Sequence, residues 1–390
     1  MWIEREISNS IATNQDPIQI LRGPRQCGKT SLLLHLDPEF VELSLDDPSL
    51  RSLAQSDPEL FLKQFDAPKI LIDEAQYAPQ LFPSLKRRVD FEKRSSERIR
   101  RTSVRLTGSN QILMDKLVKE SLAGRASFFD MNTLSVSEIL AHDSSIPIQR
   151  ILYQGGWPEL YAHDGIEPRR FLDKYINSYV EKDVVLAAGI QKASEFTRFT
   201  RLLAGRVGTI LDLASLAKDV GVSPVTLKDW VSVLERMQII RLVAPYFSNL
   251  STRLIKSPKV FFIDTGLACR LQGWTSPETI ATTPQQGPLF ENLVFSELYK
   301  YNLNHQMGWQ LYHWRSRDGE EVDFILERSP RDFLFIEAKV SRQTTPDVSE
   351  YREIKKVFKG KKIAQLVCHQ EGERNLGRSV PIRFLKSILS

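Results

Sequence analysis

The sequence predicts an α/β fold in several parts: a parallel sheet carrying a phosphate-binding loop, a helical middle region, and a second α/β unit toward the C-terminus. Three observations predict it. Gly23-Pro24-Arg25-Gln26-Cys27-Gly28-Lys29-Thr30 has the spacing GxxxxGK[ST], with an apolar run, Ile18 to Leu21, before it and Ser31-Leu32-Leu33-Leu34 after it. Strand, glycine loop and helix are the context this spacing needs. Lys69-Ile70-Leu71-Ile72-Asp73-Glu74 reads as a buried strand ending in two acids, and in parallel sheets ligand groups sit at strand carboxyl ends. From about Lys259 the chain changes character, with further strand patterns and a hairpin signal at Asp318-Gly319.

The 390 residues exceed one ordinary core, so about two to four domains are expected. The expected divisions are 1–135, 136–190, 191–255 and 256–390. A 42% hydrophobic and 26% charged composition is that of a soluble globular chain. The net charge of +5 is compatible with a nucleic-acid partner. Cys27, Cys269 and Cys368 are far apart and odd in number. That spacing argues for a reducing compartment and against a disulfide framework or a cysteine zinc site. Residues 1–6 carry no signal-peptide pattern, and no apolar run reaches a membrane span. The expectation is a cytoplasmic protein with no membrane partner.

In the loop, glycines let backbone N–H groups approach phosphate oxygens, and the following helix adds its positive end. Residues Gly23, Pro24, Arg25, Gln26, Cys27, Gly28, Lys29, Thr30 and Ser31 are therefore the expected nucleotide-binding set. Lys29 would reach the β- and γ-phosphates of ATP, and the Thr30 hydroxyl would hold Mg²⁺. Asp73 would share that metal shell, and Glu74 would orient the attacking water. Cys27 reads as a small tolerated residue.

Downstream, nine basic residues fall between Lys86 and Arg105, against Asp90, Glu92 and Glu97. Such a stretch is either a nucleic-acid surface or a solvated helix face. Val104 to Gly108 reads as a strand, with Ser109 and Asn110 at its end as candidates to face the γ-phosphate or its water. Arg125 is the candidate arginine finger, or else an ordinary surface arginine. Gly155-Gly156-Trp157-Pro158 predicts a turn in a helical connector, with helices over 168–187 and 194–207. Residues 213–245 have helix-turn-helix spacing, with Ser223 as N-cap, Pro224 at the first helical position and a wing strand from Ile239. In a DNA-reading version Thr226, Lys228 and Asp229 would face the groove; mixed charge leaves a protein-contact role open. In the last third, Asp323, Glu337 and Lys339 form a D…ExK constellation on adjacent strands, with Glu291 placed to extend it. Paired carboxylates, here Asp323 and Glu337, can hold Mg²⁺, and a lysine can help activate water. Salt-bridged strands would explain the same pattern.

Taken together, GPRQCGKT at 23–30, ILIDEAQ at 70–76, LTGSNQ at 106–111, SLAGRA at 121–126, GGWPEL at 155–160 and YVEKDV at 179–184 resemble one family. So do LAKDVGVSPVTLKDWVSVLE at 216–235, KSPKVFFIDTGLA at 256–268, GPLFENLVFSEL at 287–298, EEVDFIL at 320–326 and FIEAKVS at 335–341. The family comprises bacterial and archaeal AAA-type ATPases whose C-terminal domain of unknown function is similar in fold to PD-(D/E)xK restriction-type nucleases. The resemblance implies a P-loop NTPase (AAA-type) parallel-sheet domain, a helical and winged-helix middle, and an α/β restriction-endonuclease-like C-terminal domain. It implies ATP hydrolysis at Lys29, Thr30, Asp73 and Glu74, and it puts Glu291, Asp323, Glu337 and Lys339 at nuclease-like motif positions. The chain departs from the family at Cys27, where a small aliphatic residue is usual, and in its arginine-rich segment 94–105.

The leading expectation is an ATPase acting on nucleic acid, DNA foremost, as a homo-oligomer closed through Arg125, with Mg²⁺-dependent cutting as a narrower version. The alternative is a nucleotide-dependent signalling switch whose nuclease-like domain only makes protein contacts.

Overall fold

The computed structural model describes residues 1–94, 102–109, 114, 122, 124–247, 257–316, 319–341, 347–348, 351–372 and 378–389. Two compact units are present. One comprises Glu4–Asn132 with Leu303–His305; the other comprises Met1–Ile3, Thr133–Asn302 and Gln306–Ser390. The ranges 136–190, 191–255 and 256–390, apart from Leu303–His305, therefore lie within the second unit.

In the first unit five strands form an all-parallel sheet: β1 (Ile18–Arg22), β2 (Val41–Ser44), β3 (Lys69–Asp73), β4 (Ser103–Gly108) and β5 (Ala126–Asp130), in the order β2-β3-β4-β1-β5. The three inner strands β1, β3 and β4 are buried along most of their length, as helices covering both faces of such a sheet require, while the edge strands β2 and β5 are more exposed. Ile20, Ile72 and Leu106 line up in register across β1, β4 and β3 and are fully buried with Phe61 and Phe82 from the helices. β4 thus lies between the strand that ends in the glycine loop and the strand that ends in Asp73. The helix Pro58–Gln64 starts at Asp57, which accepts the Leu60 N–H at 2.9 Å, with Pro58 in the first turn. The basic stretch begins on the helix Leu81–Arg94; its residues 95–101 lie outside the described residues.

The second unit has a seven-stranded mixed sheet of β6 (Ile240–Pro245), β7 (Lys259–Phe262), β8 (Gln310–Arg315), β9 (Glu321–Ser329), β10 (Asp332–Lys339), β11 (Lys362–His369) and β12 (Ser379–Pro381). Their order is β12-β11-β10-β9-β8-β6-β7. The expected hairpin between β8 and β9 is present, with Gly319 at φ +88° in its turn. The helix-turn-helix caps also form as the sequence indicates. Asp212 accepts from Ser215 N–H at 3.0 Å, Gly221 closes the first helix at φ +85°, and Ser223 accepts from Thr226 N–H at 3.1 Å.

Two expectations gain detail. The strand expected as a wing is β6, which pairs antiparallel with β7 and, at its end, parallel with β8. Ile240–Val243 pair with β7 and Ala244 and Pro245 with β8, and Ile240 and Val243 are buried. The predicted helix over 168–187 begins as an α-helix at Pro168–Tyr175 but winds as a π-helix over Ile176–Asp183, the YVEKD stretch. No periodicity rule separates that from ordinary helix.

Asp264 ties this unit together. It caps the helix Thr265–Leu271 through Leu267 N–H at 3.1 Å, and its other oxygen accepts from Gly156 N–H at 2.9 Å and the Thr133 hydroxyl at 2.7 Å. The Lys300 ammonium reaches the same hydroxyl at 2.9 Å. Gly155, at φ +73°, and Gly266 permit the approach: a Cβ on Gly266 would stand 2.3 Å from the Gln154 carbonyl carbon. Gly266→Ala is expected to destabilise the protein by about 2 kcal/mol or more, through overpacking against backbone that cannot retreat. Urea unfolding of the variant measures it.

Candidate functional site

β1 delivers the glycine loop to the carboxyl end of the parallel sheet. At Gly23 a Cβ would lie 2.0 Å from the Met131 carbonyl oxygen, so only glycine fits. Gly28 takes φ +93° and starts the helix Lys29–Leu36. The buried Lys29 ammonium crosses the loop and donates to the carbonyls of Gly23 at 3.1 Å and Pro24 at 2.9 Å. Arg25 is half-buried, 3.5 Å from the Tyr77 hydroxyl; Gln26 and Ser31 are exposed. Cys27 is fully buried, its Sγ 3.8 Å from the Met131 carbonyl, which agrees with its reading as a packed small residue.

Thr30, Asp73 and Glu74 come together through β4. The Thr30 hydroxyl donates to Asp73 Oδ1 at 2.7 Å, and the buried Thr107 hydroxyl donates to the same oxygen. Thr107 Oγ1 in turn accepts the Glu74 N–H at 3.2 Å. Glu74 has φ +52°, a left-handed conformation rare outside glycine and concentrated at functional sites. Its Oε2 accepts from Ser109 N–H at 3.2 Å, the Ser109 hydroxyl at 2.9 Å and the Gln76 amide. Burial pushes the Glu74 carboxyl upward, but the Gln76 bond, the Lys29 charge and the Ser109 bonds outweigh it and hold it below the usual carboxylate range. It is therefore an ionised carboxylate at neutral pH. Gly108 is required beside it, since a Cβ there would meet Met114 at 2.7 Å and Gln76 Oε1 at 2.8 Å.

Of the remaining sequence candidates, Asn110 lies outside the described residues. Arg125 makes a two-pronged ion pair with Asp90, at 2.7 and 2.9 Å, within its own unit. Sequence reasoning passed over Thr107 and Gln76. The signal for Thr107 was its place two residues before Ser109 on the neighbouring strand, but strand order had to be known to use it.

In the second unit Asp323 and Glu337 face one another from β9 and β10. Asp323 Oδ2 accepts the Ala338 N–H at 2.8 Å, and Lys339 Nζ stands 3.6 Å from Asp323 and 3.0 Å from Glu337. Glu337 Oε1 is buried with no hydrogen-bond partner. Burial, then repulsion from Asp323, pushes the Glu337 carboxyl well above its ordinary value. Glu291, close enough to feel the Asp323 charge, is ion-paired. Its Oε1 accepts from Lys259 Nζ at 3.0 Å, and that ammonium also holds Glu321 at 2.9 Å. Among the described residues no three acid, imidazole or thiolate side chains gather as a metal-holding group. Lys259, buried on β7, supplies the cation that balances Glu291 and Glu321. His313 on β8 is buried with neither ring nitrogen hydrogen-bonded. Burial and the Lys259 charge lower it to about 4.

Residues 15–140 match the family described as AAA domain, 147–278 a domain of unknown function (DUF8612), and 286–385 another domain of unknown function (DUF4143). The first unit thus carries an AAA-type, ATPase-like P-loop domain. An uncharacterized protein of Mycobacterium tuberculosis is 28% identical over 364 residues, covering 93% of this chain and 78% of the relative. One of Methanocaldococcus jannaschii is 23% identical over 402 residues, covering 92% and 83%. Among solved structures, the Walker-type ATPase of Pyrococcus abyssi is similar at 15% identity and TM-score 0.42, over 68% of this chain and 94% of that one. The ORC2 protein of Aeropyrum pernix is similar at 12% identity and TM-score 0.38, over 70% and 92%. No described helix is long and apolar enough to cross a membrane.

Thr107→Val keeps the shape and removes the hydroxyl that serves Asp73 and the Glu74 N–H. It is expected to cost about 1–3 kcal/mol, read from urea denaturation. His313 is neutral when folded, so it contributes stability above its unfolded pKa near 6.5 that is lost as pH falls toward about 4. The full loss is about 3 kcal/mol. His313→Leu should flatten that stretch of the stability-versus-pH curve between pH 6.5 and 4. A variant with the wild-type slope there would show that His313 does not cause it.

Proposed function

We propose that the protein binds and hydrolyses ATP in its first unit and couples nucleotide state to binding of nucleic acid, DNA foremost. The observation that carries the first half is the joint at Thr30, Asp73, Thr107 and Glu74. The adjoining Thr30 hydroxyl and Asp73 carboxylate are hard oxygen donors suited to Mg²⁺, which supplies charge neutralisation on the phosphates when bound. Lys29, now on loop carbonyls, has phosphate oxygens as its alternative partners. The ionised Glu74 then orients water for attack. Arg125 acting as a finger in a homo-oligomer requires it to leave Asp90.

The nucleic-acid half is supported by the helix Leu81–Arg94. It carries Lys86, Arg87, Arg88, Lys93 and Arg94, and Phe91 stands 66% exposed among them. A groove of about 490 Å³ beside it is lined by Lys63, Arg87, Arg88 and Phe91, with Glu59 and Asp66 ion-paired to the two arginines. Cations interleaved with an exposed ring suit phosphates and stacked bases. The exposed Lys228 in the helix-turn-helix is a further candidate contact. For the second unit, the orphaned Glu337 oxygen beside Asp323 and Lys339 favours a one-metal phosphodiester site. The Lys259 bridge to Glu291 and Glu321 favours the alternative, a restriction-endonuclease-like domain that grips nucleic acid or, in a signalling switch, protein.

ATP turnover, DNA binding at low and high salt, and strand cutting of wild type, Lys29→Ala and Glu337→Ala test this. Lys29→Ala should abolish turnover. DNA affinity should fall steeply with salt as counterions are released. Glu337→Ala should abolish any cutting and spare turnover. DNA that neither binds at low salt nor alters turnover would refute the nucleic-acid half.

A further inference from the structure

Arg5 lies in the segment before β1 and is 6% exposed. Its Nη1 donates to the Cys27 carbonyl at 2.9 Å, inside the glycine loop, and its Nη2 donates to the Asn132 carbonyl at 2.6 Å, just beyond β5. A guanidinium is a rigid planar fork, so two carbonyls bound by its two ends are fixed relative to one another. Asn132 adjoins Met131, which is tied to β1 by its N–H to the Arg22 carbonyl at 2.8 Å. The fork therefore anchors the loop to the sheet.

The consequence for the loop follows from peptide geometry. No described peptide bond is cis, so the Cys27 carbonyl and the Gly28 N–H point in opposite directions from one planar unit. Holding that carbonyl at Arg5 aims the Gly28 N–H away from Arg5. The first bond of the following helix runs from Leu32 N–H to the Gly28 carbonyl at 2.9 Å. The N–H groups of Lys29, Thr30 and Ser31 thus have no acceptor within the helix and join that of Gly28 as anion donors. We propose that Arg5 is a positioning residue for nucleotide binding: it holds the Cys27–Gly28 peptide in the orientation that presents its N–H to phosphate, without touching the nucleotide. The proposal rests on the ATP-binding reading above.

A buried arginine can also matter only for stability, and Arg105 separates the two roles. It is equally buried in the same unit, donates to Gln19 at 3.1 Å and the Leu33 carbonyl at 2.9 Å, lies over the Phe40 ring, and makes no loop contact. The experiment is titration of a fluorescent ATP analogue with Mg²⁺ into wild type, Arg5→Met, Arg5→Lys and Arg105→Met, with melting curves for each. Arg5→Met should bind about tenfold or more weakly, the worth of one charge-assisted hydrogen bond. Arg5→Lys, a point charge without the fork, should fall between the two. Arg105→Met should lower the melting temperature yet bind within about twofold of wild type. Wild-type affinity in Arg5→Met, or equal losses in Arg5→Met and Arg105→Met, overturns the proposal. If Arg5→Met does not fold, Arg5→Lys decides, and wild-type affinity there overturns it. Wild-type protein that binds no nucleotide overturns the ATP reading itself, a distinct result.

Discussion

One carboxylate oxygen, Asp73 Oδ1, receives hydroxyls from two directions: Thr30 on the loop helix and Thr107 on β4. Everything at the candidate nucleotide site is arranged to allow that meeting. β4 must lie between β1 and β3. Gly23 must let the loop pass the Met131 carbonyl, and Gly108 must leave room for Gln76. Glu74 must turn through a left-handed torsion to bring its N–H to Thr107 and its carboxylate to Ser109. A strained residue persists only where its surroundings over-determine it, and here three donors do so.

The second unit solves a different electrostatic problem. Carboxylates clustered inside a sheet repel one another and resist burial. Here two lysines from different strands relieve them: Lys339 beside Asp323 and Glu337, and Lys259 between Glu291 and Glu321. A lysine head group is a compact charge on a flexible stem, able to yield to another cation more readily than a forked guanidinium. The cluster is therefore balanced without being closed, and the buried Glu337 oxygen marks where the balance is incomplete.

Local chemistry was legible in the sequence wherever neighbouring residues suffice to produce it. The glycine loop, the Asp73-Glu74 strand end, the Ser223-Pro224 helix start and the β8–β9 hairpin all formed as the residues indicated. Each depends on torsions, caps or alternation within a few positions. Readings that needed long-range pairing fared differently. The strand expected as a wing at Ile240 also pairs with β8, about seventy positions away, which nothing near it in sequence names. The placing of Glu291 beside the acid pair could not reveal Lys259, its ion-pair partner from another element.

The sequence by itself determined that a phosphate loop stands at a strand's end with a partner pair of acids downstream. Those residue types carry their chemistry locally: glycine by its torsion, lysine and carboxylate by charge. Only the tertiary structure decided which groups complete the site. Thr107 is brought in by strand order, Arg5 by burial of a segment over a hundred residues from Asn132, and Arg125 is paired with Asp90 from another element. Hydrogen bonds and ion pairs act over a few ångströms of space, whatever the distance along the chain. Partners from distant segments therefore become known only when the fold sets them side by side.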